Sequence, residues 1–151
     1  MVELARVRAS ITAPIDRIWD ILIDFAHPQR LARSIERCEV RGSGVGAVRV
    51  VTARGMTIHE RLEAVDETNH RLSYRALPTG QMPATGVNSY LATVSLRRLA
   101  GDLTEIEWWS DGEIDAPAAI IQAHFSALYE RAIENVRADA QDAAGRSSAK
   151  L

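Results

Sequence analysis

From Met56 to Ile114 the chain runs strand, turn, strand, connection, strand, turn, strand, and one long helical segment follows. That order constrains the fold more than any other feature. The four strands are MTIHERLEAV, HRLSYRAL, NSYLATVSLRRL and LTEIEWWSDGEI, each alternating apolar and polar residues. Strands joined by turns as short as Gly101-Asp102 pair antiparallel. The segment APAAIIQAHFSALYERAIENVRADAQ supplies a helix long enough to lie across them. Long strands twist and curl, so one apolar helix gripped by such a sheet encloses a hollow. Hollows of this kind take small molecules.

Upstream, residues 2–11 read as a first strand, with Val7, Ala9 and Ile11 on one face and Arg6, Arg8 and Ser10 on the other. Thr12 is placed to cap a helix with Pro14 in its first turn. Ile15, Ile18, Trp19, Leu22 and Phe25 then recur at helical spacing, and Pro28 opens a second short helix through Leu31. Ile35–Val40 and Val48–Ala53 are strands two and three, joined through a turn holding Gly42, Gly44 and Gly46. No phosphate-loop lysine follows those glycines. Strand four spans about Thr57–Val65, strand five Arg71–Leu77, strand six Asn88–Leu99 and strand seven Leu103–Ile114. Segment 78–86, PTGQMPATG, cannot be regular structure; at a pocket mouth it is either a lid or a passive connection. The expected class is α+β: a curved seven-stranded antiparallel sheet around a long C-terminal helix, with two short helices after the first strand. One domain covers 1–141, and the small polar segment 142–151 is expected to be disordered.

Strand parity sorts the side chains. Met56, Ile58, Glu60, Leu62 and Ala64 share one face of strand four, which leaves Glu60 as a carboxylate among apolar neighbours. A charge there needs a partner, a raised pKa or a wet cavity, and Arg49 on strand three is the nearest candidate partner. Inward positions elsewhere are Val51 on strand three, Tyr74 on strand five, Tyr90 on strand six, and Trp108 and Ser110 on strand seven. On the helix, Ile121, Phe125, Leu128 and Ala132 make the gripping stripe. These residues are the expected ligand lining, with Glu60, Tyr74 and Tyr90 as the candidate catalytic groups. Ala53, Ala64, Ala76, Ala92 and Ala132 are small for a core and leave volume inside it.

The function classes that composition excludes are plain. Hydrophobic residues are 46% and charged residues 25%, with net charge −2. No basic stripe invites nucleic acid, and no run approaches the roughly 20 apolar residues of a membrane span. The N-terminus carries Glu3, Arg6 and Arg8 and is not a signal peptide. Cys38 is the single cysteine, so no intrachain disulfide forms and a reducing, cytoplasmic address fits. His27, His59, His70 and His124 form no metal-ligand spacing, so neither a metal nor another cofactor is expected. No nucleophile elbow or Cys/His arrangement supports acyl-enzyme chemistry. His59 lies on the solvated face of strand four and His70 in a turn; His27 is near the helix junction, and His124 sits one position off the gripping stripe. The chain is read as a monomer or a homodimer, the latter through an outer sheet face on which Trp109 is exposed.

Together the segments IxAPIDRIWDILIDF (Ile11–Phe25), GVGAVR (Gly44–Arg49), ERLEAVD (Glu60–Asp66) and HRLSY (His70–Tyr74) resemble the START-like, helix-grip superfamily. More narrowly they resemble its bacterial polyketide cyclase/dehydrase and lipid-transport group. The architecture is also similar to that of the plant abscisic-acid receptors. The resemblance implies that Glu60 matches a carboxylate reaching the ligand through water, and that Tyr90 corresponds to a pocket tyrosine. Two departures stand out: Ala32 falls where the receptors carry a ligand-pairing lysine, and the gate region, Ala53–Met56, reads ARGM. The resemblance implies a cavity for a hydrophobic small molecule (lipid, polyketide or aromatic), carried or sensed. The alternative it implies is a cyclase or dehydrase using Glu60 as base or relay and Tyr74 and Tyr90 as proton donors. A more remote alternative is a protein-interaction module.

Overall fold

The structure, a computed structural model, describes residues 1–149, with side chains described as far as Asp142. Its strands are β1 (Val2–Thr12), β2 (Ile35–Arg41), β3 (Val48–Ala53), β4 (Met56–Asp66), β5 (Arg71–Ala76), β6 (Val87–Ala100) and β7 (Leu103–Ile114). They form a single antiparallel sheet in the order β1-β7-β6-β5-β4-β3-β2. Six consecutive strands are therefore a meander, and β1 closes against the last of them. The alternation of β-branched and polar residues, punctuated by glycines at positive φ in the turns, dictates this arrangement.

Helix α1 (Ile15–Leu22) and a single 3-10 turn at Pro28–Arg30 follow β1, and α2 (Ala118–Ala149) ends the described chain. Thr12 does not cap α1. It is the last residue of β1, and Pro14 holds the cap position with no side-chain bond. The first turn of α1 is instead closed by backbone bonds from Arg17 and Ile18 to the Pro14 carbonyl. The expected loose tail begins at Asp142, yet α2 runs on to Ala149; residues 150 and 151 lie outside the described ones.

The core fills the space between α1, α2 and the inner faces of β1, β7, β6 and β5. Ile18, Trp19, Leu72, Tyr74, Tyr90, Val94, Ile106, Trp108, Phe125, Tyr129 and Ile133 are all buried there. On α2 the buried stripe is Ile121, Phe125, Tyr129, Ala132, Ile133, Val136 and Ala140. Leu128 is only half-buried at its flank, because the i, i+4 row from Ile121 passes through Tyr129. A register shift between Leu62 and Ala64 on β4 is a β-bulge. It breaks strict parity, so Ala64 points to solvent and Val65 packs on the core.

Candidate functional site

The β3–β4 register sets Arg49 opposite Glu60, and both side chains are enclosed. Arg49 Nε donates to Glu60 Oε1 at 2.8 Å, and Arg49 Nη1 donates to the Phe25 carbonyl at 3.3 Å. The guanidinium lies 4.3 Å from the Phe25 ring centre and 5.1 Å from that of Tyr74. A planar, weakly hydrated cation suits such a stack better than an ammonium would.

Beside the pair, aromatic side chains from sheet and helix interlock. Tyr90 stacks on Phe125 with centres 5.0 Å apart, and Trp108 stacks on Tyr129 at 5.6 Å. The Tyr90 and Tyr129 hydroxyls are 2.5 Å apart, and Trp108 Nε1 donates to the Tyr74 hydroxyl at 3.3 Å. Burial pushes the Tyr74 phenol up to about 12. Burial likewise raises Tyr90 and Tyr129 well above the ordinary tyrosine value. Ser110, fully buried, lies beside Tyr129, yet its Oγ has no hydrogen bond of normal geometry.

The hollow expected from small residues is closed. Ala76, Ala92 and Ala132 are buried as expected, but Tyr74, Tyr90, Trp108, Phe125 and Tyr129 fill the volume above them. A void of about 10 Å³ remains, bounded by Phe25, Leu31, Arg49, Tyr74, Val94 and Trp108 among others. It has room for about one water molecule.

A larger space opens at the rim. A groove of about 710 Å³ is lined by Met56, Gln81, Met82, Pro83, Ala84, Thr85, Gly86, Val87, Ile120, Ile121 and His124. Segment 78–86 thus forms one wall. Its first half is fastened to β4: Gln81 N donates to the Thr57 carbonyl at 2.8 Å and Thr57 N to Gln81 Oε1 at 2.7 Å, and Leu77, just before the segment, donates its N–H to the His59 carbonyl at 2.7 Å. Gly80 lies so close to His59 that a Cβ would come within 2.8 Å of its backbone nitrogen. The Tyr90–Phe125–Tyr129 layer separates the two spaces. It meets Tyr74 and Trp108 on the void side and His124 on the groove side.

The sequence-derived site residues divide accordingly. Arg49, Tyr74 and Trp108 border the void, with Glu60 held against Arg49. Tyr90, Ser110 and Phe125 belong to the separating layer, and Ile121 reaches the groove. Val51 and Leu62 are buried and Ile58 and Leu128 half-buried, but none of the four borders either space. The sequence-derived lining lacks Tyr129, Met82 and Val87, and it also lacks Met56, although strand parity places Met56 on the same face as Glu60. Tyr129 carried a usable signal, four residues beyond Phe125. Met82 and Val87 sit in a loop and at a strand end, where periodicity is silent. Of the histidines, His27 contacts Asp24 and His59 contacts Thr79, while His70 meets the edge of Trp19. Trp109 is half-buried rather than exposed, because Arg6 and Arg71 cover its ring at 4.8 and 5.5 Å.

The family described as polyketide cyclase/dehydrase and lipid transport matches residues 4–141. The chain belongs to that family. Two abscisic acid receptors of Arabidopsis thaliana are similar over shorter stretches: 37% identity over 73 residues, 44% of this chain and 38% of the receptor, and 35% over 71 residues, 42% and 33%. The chain thus spans well under half the length of these curated relatives. A solved structure from Bacillus thuringiensis superposes with a TM-score of 0.75 at 17% identity, covering 87% of this chain and 94% of that one. That likeness concerns fold alone.

This member of the polyketide cyclase/dehydrase and lipid transport family has a minimal β3–β4 connection. Arg54 and Gly55, at φ 52° and 77°, make a two-residue turn that pairs Ala53 directly with Met56. Among the described residues no His, Cys, Asp and Glu cluster is placed to hold a metal ion. Among them, too, no helix is long and apolar enough to cross a membrane.

Proposed function

We propose that this chain binds an apolar small molecule, as carrier or sensor, and receives it at the groove between the β3–β4 turn, segment 78–86 and the start of α2. The observation that carries this reading is the groove itself, about 710 Å³ and walled by Met56, Met82, Pro83, Ala84, Val87 and Ile121. That volume lies within the roughly 300–1,000 Å³ of small-molecule sites. Two methionines let the wall adapt to different shapes. Ile120, a lining residue that is itself 67% exposed, extends the apolar surface outward. Lipid transport in the family description and the receptor relatives support the same reading. Titration with Nile red, a neutral solvent-sensitive dye, tests it. Emission shifts to the blue on binding, and Ala84→Trp, which fills part of the groove, weakens that binding without changing the circular dichroism. Absence of binding by the native protein, or equal binding by the variant, counts against the groove.

Catalysis by Glu60 with Tyr74 and Tyr90 is the second reading, favoured by their enclosure and by phenols that stay protonated. It ranks second because one Glu60 oxygen is already taken by Arg49. Glu60→Gln should then abolish turnover of a poly-β-keto mimic while leaving its binding intact.

A further inference from the structure

The two edges of the sheet are finished differently. β1 is flanked by α2, and Arg137 Nη1 donates to the Ser10 carbonyl at 2.8 Å. The opposite edge is β2. Among the described residues no hydrogen bond reaches Glu36–Arg41 from the side away from β3. Glu36, Arg37, Glu39 and Arg41 are exposed, and Cys38 and Val40 are half-buried. A bare edge of this kind is a template for another strand.

The ladder fixes which residues offer that template. The two-residue turn at Arg54-Gly55 makes Ala53 and Met56 a hydrogen-bonded pair. Alternating back along β3, Val51 and Arg49 bond to β4, while Thr52, Val50 and Val48 bond to β2. The bonds of Leu62 to Ala47 and of Leu77 to His59 follow the same alternation on β4. Arg37, Glu39 and Arg41 stand opposite Thr52, Val50 and Val48, so their backbone groups turn toward β3. Cys38 and Val40 therefore turn their N–H and C=O groups to the open edge.

The charges on β2 then select a partner and a register. Arg37 and Glu39 share the face turned away from the core, because Cys38 and Val40 lie opposite the buried Val51 and Arg49. If a second β2 pairs antiparallel about a two-fold axis at Cys38, Arg37 meets the partner's Glu39, and the contact occurs twice. An axis at Glu39 would set Glu39 against itself and Arg37 against Arg41. An axis at Arg37 would set that residue against itself. An axis at Val40 leaves little overlap, since β2 ends at Arg41 and Gly42 turns away at φ 87°. Opposite charges directly across a ladder stabilise it, and like charges destabilise it. Within one chain Glu39 has only Arg41 at 3.5 Å, with both side chains mostly exposed, a contact too weak to compete.

We propose that β2 is an interaction surface for a second copy of this chain, pairing antiparallel about a two-fold axis at Cys38 and joining the two sheets edge to edge. The proposal stands independently of the groove reading. Sedimentation velocity of the full chain over about 10–500 µM tests it, the range in which small interfaces associate. Native protein should shift from 16.6 kDa toward twice that mass as concentration rises. Arg37→Glu and Glu39→Arg each set two like-charge pairs across the axis and should weaken association about tenfold. The double swap restores opposite charges and should bring association back to within about threefold of native. Val40→Pro removes an outward N–H and should abolish the dimer while circular dichroism stays native. In hydrogen exchange the Cys38 and Val40 amides should slow as protein concentration rises. A single species of 16.6 kDa at every concentration overturns the proposal. A dimer that both single charge variants leave intact, or that Val40→Pro leaves intact, also overturns it, because the contact then lies elsewhere.

Discussion

Replacing Arg49 by Met and Glu60 by Leu, singly and together, asks whether their pair behaves as one unit. Arg49 keeps 6% of its side chain exposed and Glu60 14%, so each charge has lost most of its hydration. Removing one partner of a buried pair costs about 3–5 kcal/mol, because the other charge is left uncompensated. The residual exposure of Glu60 lets water relieve part of this, which puts each single variant at about 3 kcal/mol. The Arg49→Met variant keeps apolar contact with Phe25 and Tyr74 but leaves the Phe25 carbonyl without its donor. The double variant removes both charges, so what remains is that unpaired carbonyl and imperfect packing, about 1–2 kcal/mol. It should therefore be more stable than either single. Urea titrations followed by tryptophan fluorescence give all four stabilities. For a chain of this size each single variant should also lower Tm by roughly 6–12 °C. A double variant whose loss equals the two single losses added together would refute the reasoning, since independent sites add and coupled ones do not.

The groove rim and the interior give two further expectations. Gly86 has φ +86° and a Cβ there would come 2.4 Å from the Ala116 Cβ, whereas Gly55, at φ +77°, faces open space; Gly86→Ala should cost about 2–3 kcal/mol and Gly55→Ala about 1, and thermal melts that reverse this order would contradict the close approach. Burial holds Tyr74, Tyr90 and Tyr129 above the ordinary value of 10.0, so the stability they contribute is complete below that pH. It is lost as pH climbs toward the folded values, because the unfolded chain alone releases the protons. Tyr129→Phe should flatten this alkaline limb, and tyrosinate absorbance from these residues appearing before unfolding would sink the account.

The meander was readable because each strand announces itself twice, by period-two alternation and by the turn residues that follow. Ile106, Trp108 and Ser110 face inward as parity alone requires. Parity failed on β4, where nothing in Arg61-Leu62-Glu63-Ala64-Val65 marks the bulge except an apolar Val65 out of phase. Leu128 drew the helix stripe away from Tyr129 because it is the more apolar of two adjacent residues, while packing geometry favoured the i+4 position. Whether the cup is hollow was not legible at all. Periodicity reports which face a side chain takes, but small alanines on that face can be covered by large rings from the opposite element, and those rings pair only in three dimensions.

Two neighbouring indoles on β7 look in opposite directions: Trp108 is sealed beneath the helix, and Trp109 lies under Arg6 and Arg71 on the far side. With Trp19 replaced by Phe and one of the pair retained at a time, a single strand becomes a matched set of fluorophores sharing almost the same backbone. A molecule that penetrates from the groove dims the first and spares the second, which then acts as a built-in standard. Added salt, by loosening the guanidinium cover, does the opposite.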